Sequence, residues 1–157
     1  MHDTESFRGF LDRLRADGEM LDLEQPVDIR HIATLVDQSD KALFFHNVIG
    51  YDRPVVSGII RTQKRAIMSL GCTTYPEIEA KLKKAIDHPV ESHSVQGSST
   101  DEVVLTGDDV DLYRLPIPMS SIYDGGPMIT AGITIARDPD YGLNAGIYRF
   151  IVKQKNL

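Results

Sequence analysis

Met128-Ile129-Thr130-Ala131-Gly132-Ile133-Thr134-Ile135-Ala136-Arg137, the turn Asp138-Pro139-Asp140-Tyr141-Gly142, and Asn144-Ala145-Gly146-Ile147-Tyr148-Arg149-Phe150-Ile151-Val152-Lys153 decide the architecture of this chain. Ile129, Ala131, Ile133 and Ile135 alternate with Thr130, Gly132 and Thr134, the period of a strand with one buried face. The Asp-Pro-Asp-Tyr-Gly turn joins the two runs into a hairpin. A lone hairpin is marginal in water, and its edges are open for pairing. Its apolar face therefore expects a cover, from residues absent from this sequence or from a partner chain.

Upstream of the hairpin, helices and strands mix. Phe7, Phe10, Leu11 and Leu14 form one stripe of a helix that Gly18 stops. Met20–Leu23 reads as a short strand. Asp28 can cap a second helix whose stripe is Ile29, Ile32, Ala33 and Val36. Residues 42–46 and 54–60 read as buried strands and 63–70 as a short helix. Thr74-Tyr75-Pro76-Glu77 fits a capping box opening a helix with Ile78, Leu82 and Ile86 inward. Residues 88–101 are a polar connection, with Ser92, Ser94, Gly97, Ser98, Ser99 and Thr100, and 103–106 a short strand. Prolines 116 and 118 fix an extended segment, and Asp124-Gly125-Gly126-Pro127 is a turn. The fold class expected is α/β (α+β). A small N-terminal α/β domain fills residues 1–106. Residues 107–157 are a linker and the start of a β-rich domain.

Size and composition narrow the function. The 157 residues suffice for one domain with its own core. A net charge of −6 and a pI near 5.3 argue against a broad phosphate-binding surface, and so against a nucleic-acid partner. The single cysteine, Cys72, allows no internal disulfide and suits a reducing compartment. Residues 1–5 are acidic and polar, unlike a signal peptide, and no apolar run approaches the roughly 20 residues of a membrane span. A cytoplasmic protein without a membrane partner is expected. His2, His31, His46, His88 and His93 lack metal-ligand spacing. Asp108, Asp109 and Asp111 lack the glycine and distal glutamate of a calcium loop.

Two residues in the hairpin can carry chemistry. Asn144 offers a carboxamide oxygen to a hard cation such as Mn²⁺, Mg²⁺ or K⁺, but cannot hold one alone. Arg149 offers a planar fork of donors to a carboxylate or phosphate. Alternation puts it among Ile147 and Ile151, where a charge wants a partner. Taken singly, the plainer alternatives weigh more: a turn asparagine and a solvated strand arginine. Five residues apart, the two side chains point to opposite faces of a regular strand. A shared site requires a bulge, for which Gly146 is the natural place, or Asn144 outside the regular pairing.

A series of motifs carries a resemblance. These are Ala42-Leu43-Phe44-Phe45-His46-Asn47-Val48-Ile49-Gly50-Tyr51, Asp111-Leu112-Tyr113-Arg114-Leu115-Pro116-Ile117-Pro118, and Asp124-Gly125-Gly126-Pro127-Met128-Ile129-Thr130-Ala131-Gly132. Arg137-Asp138-Pro139 and Asn144-Ala145-Gly146-Ile147-Tyr148-Arg149 complete it. In this order, over nearly the whole chain, they resemble the UbiD-like decarboxylases, which depend on prenylated FMN. The resemblance implies an N-terminal α/β domain, then a split β-barrel of flavin-reductase type, then a C-terminal domain forming a dimer. It implies that Asn144 binds a divalent metal, manganese expected and potassium as a further cation, which bridges to the cofactor phosphate. Ile147, Tyr148 and Arg149 would line the prenylated FMN. Arg149 would also be catalytic, within a Glu-Arg-Glu set. The metal-binding histidine and glutamate and both catalytic glutamates would follow residue 157.

The activity implied is reversible, non-oxidative decarboxylation of an aromatic or α,β-unsaturated carboxylic acid, with the modified flavin as electron sink. The enzyme would be a homo-oligomer when intact, and the 157 residues alone would be inactive. A competing reading is a non-catalytic binding or assembly subunit completed by a separate polypeptide, motivated by the uncovered hairpin. A third is a flavin-binding domain without decarboxylase activity.

Overall fold

The computed structural model describes residues 6–91, 93–97 and 102–156. The polar N-terminus 1–5, and Ser92 and residues 98–101 of the expected connection, lie outside the described residues. The class is mixed α/β with small sheets. The chain divides into two units. One is Met1–Asp22, Ser39–Phe44 and Val56–Thr106; the other is Leu23–Gln38, Phe45–Val55 and Gly107–Leu157.

In the first unit, Ser6 caps helix α1 (Phe7–Ala16), its hydroxyl accepting from the Gly9 amide at 3.0 Å. Phe10, Leu11 and Leu14 are buried as their spacing predicts, while Phe7 is exposed. Gly18, at φ 67°, ends the helix in the left-handed conformation glycine favours. Strand β1 (Met20–Leu23) joins β2 (Ala42–Phe45) and β3 (Val55–Ser57) in a sheet ordered β1-β2-β3. The strand expected over 54–60 is shorter, because the chain turns at Gly58, φ 73°. Phe10, Leu11, Leu14, Met20 and Ala42 form the core, with Phe44, Val56, Ile59 and Met68 packed against it.

Helix α3 (Gln63–Ser69), capped by the Thr62 hydroxyl, carries Arg65 into this interior with no exposed surface. Arg65 Nη1 donates to Asp40 O at 2.7 Å and to Glu19 Oε2 at 3.2 Å, while Nε and Nη2 are buried without a partner among the described residues. A desolvated cation is costly unless paired. Glu19 supplies the charge, and Lys64 also binds that carboxylate. Helix α4 (Tyr75–Asp87) opens differently from the expected capping box. The Thr74 hydroxyl makes no capping bond; Glu77 instead takes the amide and hydroxyl of Thr73, both at 2.8 Å. Of its expected inward stripe only Ile78 is buried, whereas Leu82 and Ile86 are exposed. The expected strand at 103–106 is absent: residues 102–106 form bends and unpaired chain, and Val103 and Val104 are exposed. A short apolar run without a partner strand has no ladder to join.

In the second unit, helix α2 (Ile32–Asp37) starts later than its stripe suggests. Asp28 does not cap it. The Asp28 carboxylate takes the amide and guanidinium of Arg30, closing a turn that delays the helix. Val27 and Val48 pair in a parallel bridge, and Asn47 Nδ2 donates to Glu24 O at 2.7 Å. Strands β4 (Met128–Asp138) and β5 (Gly142–Ile151) form the predicted hairpin. Its base is tied down: Met128 N donates to Pro118 O, Val152 N to Pro127 O, and Leu112 N to Lys155 O.

Candidate functional site

The hairpin turn is made by Asp138, whose Oδ1 accepts the amides of Asp140 at 2.8 Å and Tyr141 at 2.9 Å. Those bonds hold its carboxyl below the ordinary carboxylate range. Gly142, at φ 80°, returns the chain into β5. From there the antiparallel register is unbroken, with Asn144 opposite Ala136, Gly146 opposite Thr134, Ile147 opposite Ile133 and Tyr148 opposite Gly132.

The irregularity expected at Gly146, or at Asn144, lies elsewhere. The register shifts between Ile129 and Gly132 on β4, so Thr130 and Ala131 together oppose Arg149. Strand β5 therefore keeps its alternation through Asn144. A β-carbon on Gly146 would lie 2.6 Å from the Tyr148 ring, and one on Gly132 would lie 2.7 Å from the Phe150 ring. Gly146, Tyr148 and Phe150 thus share a face, and Asn144 joins them by parity. Ile147 and Arg149 belong to the opposite face, with Ile133 and Ile135 across the ladder. Ile133 is 70%, Ile135 69% and Ile147 77% exposed, so this apolar face is uncovered among the described residues.

Asn144 and Arg149 are exposed, and neither side chain has a partner among the described residues. No three His, Cys, Asp or Glu side chains converge on a common point among the described residues. An open groove of about 320 Å³ adjoins the register shift, lined by Pro54, Val55, Leu115 to Pro118 and Met128 to Ala131. Leu115 to Pro118 and Met128 to Ala131 belong to the motif series, but no local pattern marks their meeting in a groove or the burial of Arg65.

These elements define a mixed α/β chain whose second unit ends in an antiparallel ribbon bearing Arg149, a guanidinium without a partner among the described residues. Residues 11–83 match the 3-octaprenyl-4-hydroxybenzoate carboxy-lyase N-terminal domain, and residues 91–157 match the Rift-related domain of the same enzymes. The chain belongs to the UbiD family, of which it carries these two segments. It is 32% identical over 146 residues to anhydromevalonate phosphate decarboxylase of Methanothermobacter thermautotrophicus, covering 92% of this chain and 33% of that protein. Among solved structures it is similar to an evolved dimeric form of the UbiD-class enzyme HmfF of Pelotomaculum thermopropionicum, in complex with prFMN. The TM-score is 0.83 at 33% identity, covering 95% of this chain and 35% of that one. It is also similar to the closed form of vanillic acid decarboxylase of Sedimentibacter hydroxybenzoicus. There the TM-score is 0.85 at 25% identity, covering 99% and 36%. The chain thus spans about a third of the length of the relatives it matches. Among the described residues, no helix is long and apolar enough to cross a membrane.

Proposed function

We propose that this chain is the N-terminal portion of a reversible, non-oxidative decarboxylase acting on an aromatic or α,β-unsaturated carboxylic acid through prenylated FMN. The observation that carries the reading is Arg149, a guanidinium without a partner among the described residues, on the face of the exposed Ile147, in a chain of this family. The donor set fits the cofactor in part. Ile147 offers an apolar surface to a flavin ring and Arg149 a fixed cation to an anion on the same face. Tyr148 and Asn144 lie on the other face, so this register does not by itself bring them together with Arg149; the Asn144 carboxamide oxygen suits a hard cation such as Mn²⁺ or K⁺. A cation there needs further oxygen or nitrogen ligands from the rest of the protein.

When bound, the prenylated flavin supplies the sink for the electrons released as CO₂ leaves. The work of this chain is to bind and orient. Arg149 holds the substrate carboxylate by charge-assisted hydrogen bonds. Ile147, exposed in this chain, would exclude water from beside it once the rest of the protein covers this face, which would strengthen that pairing. We further place the domain boundary at 106/107 and the start of a split β-barrel in 107–157. The intact protein is read as a cytoplasmic homo-oligomer with a small carboxylic acid as its substrate. The decisive experiment is Arg149→Ala in the whole protein reconstituted with prenylated FMN. Release of CO₂ should fall at least a hundredfold, and turnover near that of the unsubstituted protein would remove Arg149 from the site.

A further inference from the structure

We infer that the β4 bulge at Thr130 and Ala131, seated by the Phe150 ring over Gly132, sets the direction in which Arg149 leaves β5. Gly132 and Phe150 are therefore positioning residues for carboxylate binding. The inference rests on the proposed role of Arg149 and adds the device that aims it.

The register supplies the first observation. Tyr148 opposes Gly132 and Phe150 opposes Ile129. One residue, Arg149, thus lies between these pairs on β5, and two, Thr130 and Ala131, lie between them on β4. A bulge of this kind bends the strand that carries it, breaks the ladder locally and raises the twist, so Arg149, the residue opposing it, sits at an irregular step. It falls at Arg149, whereas the ladder from Asn144 to Tyr148 is regular. Any departure of Arg149 from the strict Ile147 face therefore originates at this step.

The second observation is the crowding at Gly132. A β-carbon there would lie 2.7 and 2.9 Å from the Phe150 ring and 3.2 Å from the Tyr148 carbonyl oxygen. No side chain fits unless the ring moves. The ring can turn away, but the Tyr148 carbonyl, at 3.2 Å, belongs to the peptide bond leading into Arg149, so relieving that contact shifts the backbone from which Arg149 projects. Gly146 is crowded in the same way by the Tyr148 ring, at 2.6 Å, but lies on the regular ladder. It is a matched control within one hairpin.

The test is made in the whole protein loaded with prenylated FMN. Benzoate serves as a non-reacting carboxylate probe, titrated by calorimetry, and flavin content is read by absorbance. Gly132→Ala should weaken benzoate binding about tenfold or more while flavin content stays within twofold. Gly146→Ala, which displaces Tyr148, should lower flavin content more than Gly132→Ala does. Unchanged benzoate affinity in a flavin-loaded Gly132→Ala protein overturns the inference. So does a loss of flavin in that variant matching the loss of benzoate binding. If Gly132→Ala does not fold, Phe150→Leu decides on the same criterion, because it removes the ring and adds nothing at Gly132. Arg149→Ala separates the two readings. If it binds benzoate normally, the role of Arg149 fails. If it loses benzoate and Gly132→Ala does not, only the positioning fails.

Discussion

Glu19 shows how a single residue holds the first unit together. Its carboxylate faces Lys64 and the fully buried Arg65, and the Lys64 hydrogen bond is the main reason its pKa lies below the ordinary value. A lowered folded-state pKa means that the ion pair stabilises above the unfolded value and loses its effect as pH falls through the folded one. Lowering the pH from 7 to below about 4 should therefore cost stability, part of it through Glu19. Urea melts of Glu19→Gln should show a smaller difference between the two pH values; an unchanged difference would place the acid sensitivity elsewhere. At the same scale, Arg149 could be recognised in the sequence because a motif surrounds it. Arg65 could not, since burial of a cation next to Lys64 on a short helix depends on where Glu19 and Asp40 come to lie.

Among the elements, the terminal hairpin makes the clearest claim. Its turn is closed by one side chain, Asp138, through two amide bonds. Asp138→Ala should destabilise the hairpin, because two turn amides lose their acceptor. Hydrogen exchange at the β4 and β5 amides should quicken, while the core around Phe10 and Leu14 keeps its protection. Asp138→Asn, which keeps an acceptor oxygen, should recover most of the loss. Equal quickening in both units would mean that the hairpin is not a separate unit of opening. The type and turn of this hairpin were legible from alternation and the Asp-Pro-Asp-Tyr-Gly stretch. Its bulge was not. Gly146 is the obvious candidate by composition, yet the irregularity falls at Thr130 and Ala131, because a register shift belongs to a pair of strands.

At the level of the whole molecule, uncovered apolar surface dominates. Ile133, Ile135 and Ile147 on the hairpin, and Leu82 and Ile86 on α4, are all exposed. Surfaces of this kind promote association in water. The 157-residue chain should self-associate as its concentration rises, measured by sedimentation velocity, and Ile135→Lys should reduce it. A monomer at every concentration would show that the ribbon is adequately solvated as it stands. The same polypeptide should release no CO₂ from aromatic or unsaturated acids when supplied with prenylated FMN, since Asn144 and Arg149 are one part of the proposed site. Measurable decarboxylation would refute that.

The sequence by itself determined several elements and their order: the Phe10, Leu11 and Leu14 stripe, the strand at Met20–Leu23, the hairpin and the motif series of the family. These are properties of neighbouring residues, and the periods of helix and strand express them locally. Only the tertiary structure decided that Leu82 and Ile86 stay exposed, that Arg65 is buried, and that the bulge faces Arg149. Each depends on what a residue meets across space. Burial and register are set by partners distant in the chain, which a local pattern cannot specify.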